Sequence, residues 1–108
     1  MDRKNHELAE KLAACQIACN YCFNACLNEE HMHMMVECIK TDKACAEICG
    51  TTLSLVASES KFAKDFVALC ADVCNKCADV CVKHPADHCQ ECARACRECA
   101  EACEFFLN

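Results

Sequence analysis

The stretch Cys89-Gln90-Glu91-Cys92-Ala93-Arg94-Ala95-Cys96-Arg97-Glu98-Cys99-Ala100-Glu101-Ala102-Cys103 decides the fold. Its cysteines step by 3, 4, 3 and 4 residues, and an α-helix brings positions so spaced onto one face. A strand would send them to both sides of a sheet. The residues between are Ala, Glu, Arg and Gln, good helix formers whose charges suit the opposite, wet face. The same cadence recurs upstream in Cys15, Cys19, Cys22 and Cys26, in Cys38, Cys45 and Cys49, and in Cys70, Cys74, Cys77 and Cys81. Four groups predict four helices, each carrying a sulfur stripe along one side.

The breaks between groups set the connections. Asn28-Glu29-Glu30 ends the first helix and supplies acidic residues for the start of the second. Ser58-Glu59-Ser60 offers N-caps ahead of Lys61 and Phe62. Pro85 disfavours helix at His84, and Asp87 with Gln90 reads as a capping box. The helices are expected over roughly 3–27, 31–57, 61–83 and 87–106. Gly50 falls inside the second with no sequence reason for it. Loops this short join antiparallel neighbours. The expected architecture is all-α: an antiparallel up-down-up-down four-helix bundle with a cysteine-lined core, one domain spanning 1–108.

Composition agrees. One Gly and one Pro among 108 residues exclude a turn-rich sheet protein and a disordered tail. With 16 Cys and no Trp, the interior cannot be an ordinary leucine core. A net charge of −6 without a basic stripe argues against nucleic-acid binding. No apolar run approaches the ~18 residues of a membrane span. Met1-Asp2-Arg3-Lys4-Asn5-His6-Glu7 has no apolar signal core, so the expected location is the cytoplasm, where thiols stay reduced.

Extended past the cysteines, the stripes become polar along the bundle axis. Leu8, Leu12, Val56, Phe62, Phe66 and Phe106 are expected at one end. His31, Met32, His33, Met34, Met35, His84 and His88 are expected at the other, with Met32 and His33 facing solvent. Asp42 takes a cysteine rung of the second stripe, and Tyr21 lies off the first, in helix packing.

Sixteen thiols forming an internal surface are more than filler. Cysteines three or four apart on one helix point the same way, so disulfides within a helix have poor geometry. Iron–sulfur ligation uses loops around the cluster, and no Cys-Pro or glycine-rich loop is present. Structural zinc takes separate closed tetrahedra, usually on turns, which a continuous stripe does not provide. Iron–sulfur or zinc binding stays the alternative reading. Monovalent copper suits the pattern best, because soft thiolates select Cu(I). Successive rungs about 5.4 Å apart can carry a chain of sites. Each Cu(I) displaces thiol protons, so many ions fill a dry core without building up charge. If most sulfurs bridge, capacity is on the order of ten or more ions per chain.

The expected ligands are therefore Cys15, Cys19, Cys22, Cys26, Cys38, Cys45, Cys49, Cys70, Cys74, Cys77, Cys81, Cys89, Cys92, Cys96, Cys99 and Cys103. Asp42 joins them as an occasional ligand, with a hydrogen-bonded structural carboxylate as the alternative, since a lone buried carboxylate is costly. His31, Met35, His84 and His88 would acquire copper at the surface. No nucleophile–base pair or phosphate loop is visible, so no catalysis is expected.

At this point the sequence resembles the bacterial copper storage protein family, in its cytosolic branch of cysteine-rich four-helix bundles. The likeness covers essentially the whole chain. It lies in the CxxxC/CxxC ladder and in Asn28-Glu29-Glu30-His31 leading into Met34-Met35-Val36-Glu37-Cys38-Ile39. It continues through Asp42, Cys45-Ala46-Glu47-Ile48-Cys49 and the connection from His84 to Cys89. The resemblance implies a homotetramer of bundles, each storing many Cu(I) ions taken in at the His/Met end, with a copper chaperone as candidate partner. The second helix has three cysteines where the family implies four or five.

Overall fold

The computed structural model describes residues 1–108. Four helices follow one another: α1 (Arg3–Leu27), α2 (Val36–Ala57), α3 (Ala63–Cys81) and α4 (Asp87–Leu107), with a 3₁₀ turn, Met32–Met35, ahead of α2. Each packs on two neighbours in the cyclic order α1, α2, α3, α4. The result is the expected antiparallel bundle, 44 Å long and 18 Å across. A single core of 28 buried residues runs through it, and every cysteine belongs to that core.

Local chemistry explains most boundaries. The Asp2 carboxylate accepts the Asn5 N–H at 2.9 Å and starts α1. The α2 terminus is a Schellman turn: the Ser60 N–H donates to the Leu55 carbonyl and the Glu59 N–H to that of Val56. Glu59 holds φ 54° there, a left-handed position that glycine would occupy without strain. Ser60 is not the expected N-cap: α3 starts at Ala63 behind Phe62, which has no side-chain cap, and the Ser60 hydroxyl accepts the Phe62 N–H at 3.1 Å in the turn before it. At Gly50 a Cβ would stand 2.4 Å from the end of the flexible Gln16 side chain of α1, which packs over it.

Several expectations need correction. The first turn of the second segment is 3₁₀ rather than α, so α2 proper starts at Val36. No capping box forms at α4: Asp87 is already helical and Ala86 precedes it without a side-chain cap. The Gln90 amide instead reaches back to the carbonyls of Val82 (3.1 Å) and His84 (2.7 Å), closing the end of α3. At the apolar end, Val67 is fully buried beside Leu8, Leu12 and Val56, whereas Phe62 is 54% exposed. Phe66 and Phe106 are half-buried. The 4-3 cadence of α3, run back from Cys70, lands on Val67 and Ala63; Phe66 is one position off that face. Tyr21 is no packing residue, being 66% exposed.

Candidate metal centre

Because each stripe turns inward, sulfur meets sulfur on the bundle axis. All sixteen cysteines are free thiols and buried. Pairs one turn apart on a single helix, such as Cys15 with Cys19 and Cys70 with Cys74, lie 3.8–3.9 Å apart. Neighbouring helices contribute Cys38 with Cys81 at 3.4 Å and Cys49 with Cys70 at 3.8 Å. Helices across the diagonal also meet through sulfur, Cys15 with Cys74 and Cys45 with Cys96 both at 3.9 Å. With metal–thiolate bonds near ~2.3 Å, such separations let one ion touch several thiolates.

The sulfurs group into sets of four whose ligand atoms all lie within 4.8 Å of one another. From the apolar end towards the His/Met end, five of these sets are Cys15/Cys49/Cys74/Cys99, Cys15/Cys19/Cys45/Cys96, Cys19/Cys77/Cys92/Cys96, Cys22/Asp42/Cys81/Cys92 and Cys22/Cys26/Cys38/Cys89. Each set shares at least one residue with the next: Cys15, then Cys19 and Cys96, then Cys92, then Cys22. Cys103 and Cys70 extend the buried sulfur towards the apolar plug, where the Thr52 hydroxyl donates to the Phe66 carbonyl at 3.5 Å. Shared corners cannot be divided into closed zinc tetrahedra, but they suit a metal that accepts bridging thiolates.

Asp42 is fully buried on the rung expected for it. The thiols of Cys77 (3.5 Å), Cys81 (3.2 Å) and Cys92 (3.3 Å) donate to Oδ1, and that of Cys38 (3.7 Å) to Oδ2. Burial, then the neighbouring Cys92, pushes its carboxyl up to about 12, so it carries a proton in the metal-free protein. That answers the desolvation problem of a lone carboxylate, and no buried side-chain oxygen or nitrogen lacks a partner.

The His/Met end is layered. His31, Met34, Met35 and His84 line a surface depression of about 310 Å³ with Glu29, Pro85 and Ala86. Met35 is buried, His84 half-buried and His31 exposed. Beneath them His88 faces the sulfur: its Nδ1 is 3.4 Å from Cys22, 3.5 Å from Cys89 and 3.9 Å from Cys26. Its Nε2 is 2.7 Å from the Glu29 carboxylate. Burial opposes the imidazolium, but hydrogen bonds with Cys22 and Glu29 outweigh it and raise His88. Hydrogen bonds with Cys38 and then Cys81 hold the Cys22 thiol down at about 5. Burial pushes Cys26 and Cys89 up. Glu29 joins the two layers, since it lines the depression and hydrogen-bonds His88. Met32 and His33 are exposed and lie outside the depression.

The structure thus brings the sixteen cysteines, Asp42 and His88 together in the core, while His31, Met35 and His84 line the surface depression, connected to His88 through Glu29. Glu29 was missed as a site residue. Its partner His88 is 59 residues away, and no local pattern couples the two.

Known proteins share this arrangement. A family model described as copper storage protein matches residues 1–108. The Cu(I)-bound copper storage protein BsCsp3 of Bacillus subtilis superposes with TM-score 0.94 at 40% identity, covering 98% of this chain and all of that one. A cytosolic copper storage protein from Streptomyces lividans, holding five coppers, superposes with TM-score 0.93 at 33% identity over 96% of this chain and 92% of its own. The cysteine-rich protein YhjQ of Bacillus subtilis is 43% identical over 74 residues, 68% of either chain.

Proposed function

The chain belongs to the copper storage protein family, and from that premise we propose how its residues take up and hold Cu(I). Storage of many Cu(I) ions is the function. The observation that carries this reading is the run of four-ligand sets joined by shared corners. Each arriving ion replaces thiol protons, and each bridging thiolate serves two ions, so charge stays low while the core fills. The ligands are the sixteen cysteines, with Asp42 coordinating once its proton is displaced by metal in the Cys22/Cys81/Cys92 set.

Uptake runs through the His/Met end. His31, Met35 and His84 bind Cu(I) weakly in the depression, and His88 hands it to Cys22. The opposite end is closed by Leu8, Leu12, Val56 and Val67, and its one imidazole, His6, is exposed and paired with Glu10. A single copper-binding unit spans residues 1–108. The likeness to a cytosolic storage protein supports a cytoplasmic location, and no helix is long and apolar enough to cross a membrane. Cys22, the thiol held down beside His88, is fully buried and packed among other thiols, which favours a metal-holding, non-enzymatic role.

The outward face of α1 exposes Ile17 (69%) and Tyr21, supporting the homotetramer that the family resemblance implies. A copper chaperone is the candidate donor at the depression.

Anaerobic titration with Cu(I) against a chromophoric chelator tests the storage reading. On the order of ten or more tightly bound ions per chain is expected. Saturation at four or fewer, or preferential retention of zinc or iron under competition, would contradict it.

A further inference from the structure

The one carboxylate aimed at the copper path from outside is Glu29, in the loop between α1 and the 3₁₀ turn. Its Oε1 lies 2.7 Å from His88 Nε2, while the other ring nitrogen faces Cys22, Cys89 and Cys26. To accept Cu(I) through Nδ1 the imidazole must be neutral, with its one proton on Nε2. A carboxylate accepts and cannot donate, so a hydrogen bond to Glu29 puts that proton on Nε2. The lone pair is then left on Nδ1, the nitrogen that points at the sulfurs. Without the carboxylate, the ring can place its proton on Nδ1 and donate to Cys22, closing the nitrogen that copper needs.

We infer that Glu29 is the positioning residue of the uptake path: it fixes the tautomer and the tilt of His88 so that Nδ1 receives Cu(I) above Cys22. The arrangement is that of carboxylate–histidine–metal triads, in which the outer partner orients the ring and raises its basicity. Two features of the fold support the assignment. The His88 side chain is only 13% exposed, against 38% for that of Glu29, so the ring is held mostly inside while the carboxylate is the more exposed partner. The pair also ties the α1–α2 connection to the first turn of α4, spanning the end of the bundle through which copper would pass. Glu29 touches none of the sulfurs, so its effect acts on the first ion bound and leaves capacity alone.

The inference rests on the storage reading, and one set of variants separates the two. Wild type, Glu29→Gln, Glu29→Ala, His88→Ala and the double variant Glu29→Ala/His88→Ala are each titrated anaerobically with Cu(I). Loading of the first equivalent is followed by stopped flow. Glu29→Ala is expected to weaken or slow first-equivalent binding about 10-fold at wild-type total capacity. Glu29→Gln, whose amide oxygen still accepts the Nε2 proton, should keep most of the wild-type behaviour. In the His88→Ala background, loss of Glu29 should have no further effect. Nitrogen-15 NMR of the singly loaded protein should report His88 bound through Nδ1 in wild type and a loss of that signature in Glu29→Ala. Unchanged first-equivalent loading and an unchanged Nδ1 signature in Glu29→Ala would overturn the inference. So would a Glu29→Ala effect that persists without His88, since the carboxylate would then act only as a charge. A wild-type capacity of a few ions would instead sink the storage reading itself.

Discussion

The two ends of this bundle are built from opposite materials on the same four helices. At one end Leu8, Leu12, Val56 and Val67 are buried together and bring no metal ligand. At the other, imidazoles and thioethers surround a depression whose Glu29 reaches His88 and, through it, Cys22. Between them lies a core of cysteine, a side chain too small and too weakly cohesive to hold a bundle by itself. The contrast teaches where stability and function reside. The hydrocarbon plug anchors the fold and closes the store, while the His/Met end admits metal.

Breaking the plug should therefore have the largest effect on stability. Leu12→Ala removes a fully buried side chain and should cost about 2–5 kcal/mol. Thermal unfolding of the reduced, metal-free protein reads this directly. Phe62→Ala, at the same end but exposed, should change stability by less than about 0.5 kcal/mol. Equal losses in the two variants would mean that the plug is drawn wrongly.

Asp42 tests the middle of the bundle. Its carboxyl is raised to about 12 from a usual value of 3.8. Above pH ~4 the unfolded chain gives up this proton while the folded chain keeps it, so the folded state binds more protons. Its contribution to stability is full below pH ~4 and falls as pH rises. Asp42→Asn abolishes that dependence. The metal-free variant should be more stable than wild type at pH 7 by up to about 4 kcal/mol, with the gap closing towards pH 4. Chemical denaturation at both pH values measures it. A variant less stable at pH 7 would show that Asp42 is ionised in the empty core.

At the His/Met end the expected change is kinetic. A variant with His31, Met35, His84 and His88 all replaced by alanine should load and release Cu(I) several-fold more slowly. Its final capacity should stay near that of wild type, because the thiolates remain. Wild-type loading rates in this variant, with altered rates in Phe66→Ala/Phe106→Ala, would reverse the polarity of the bundle.

The smallest effect lies in the turn beside the plug. Glu59→Gly relieves a left-handed backbone position (φ 54°) and should stabilise the fold by about 0.5–1 kcal/mol. Copper loading should be untouched, since the turn belongs to the closed end. A change in loading rate would show that the closed end is not inert.

Much of this was legible because cysteine spacing is a periodic signal carried by a rare residue. It placed α1 at Arg3–Leu27 and all sixteen thiols inside. Asp42 was found because it occupies a rung, and periodicity does not care which residue fills the position. The misreadings came where periodicity gives way to local chemistry or long-range contact. Asp87 and Gln90 match a capping box by spacing, yet Pro85 and the closing turn of α3 draw Gln90 backwards. Phe66, four residues before Cys70, fits a helical stripe by spacing, yet the 4-3 cadence carried back through Ala63 puts Val67 in the plug. Glu29 could not be paired with His88 because their contact exists only once four helices have closed.

The most direct test of the shared-corner ladder is the Cu(I) stoichiometry of a variant in which Cys89, Cys92, Cys96, Cys99 and Cys103 of α4 are all alanine. All five sets named above draw at least one ligand from α4: Cys99, Cys96, Cys92 with Cys96, Cys92 and Cys89 in turn. The account predicts that anaerobic titration finds several fewer ions per chain than wild type, with helical circular dichroism largely retained. An unchanged stoichiometry in a folded variant would contradict it.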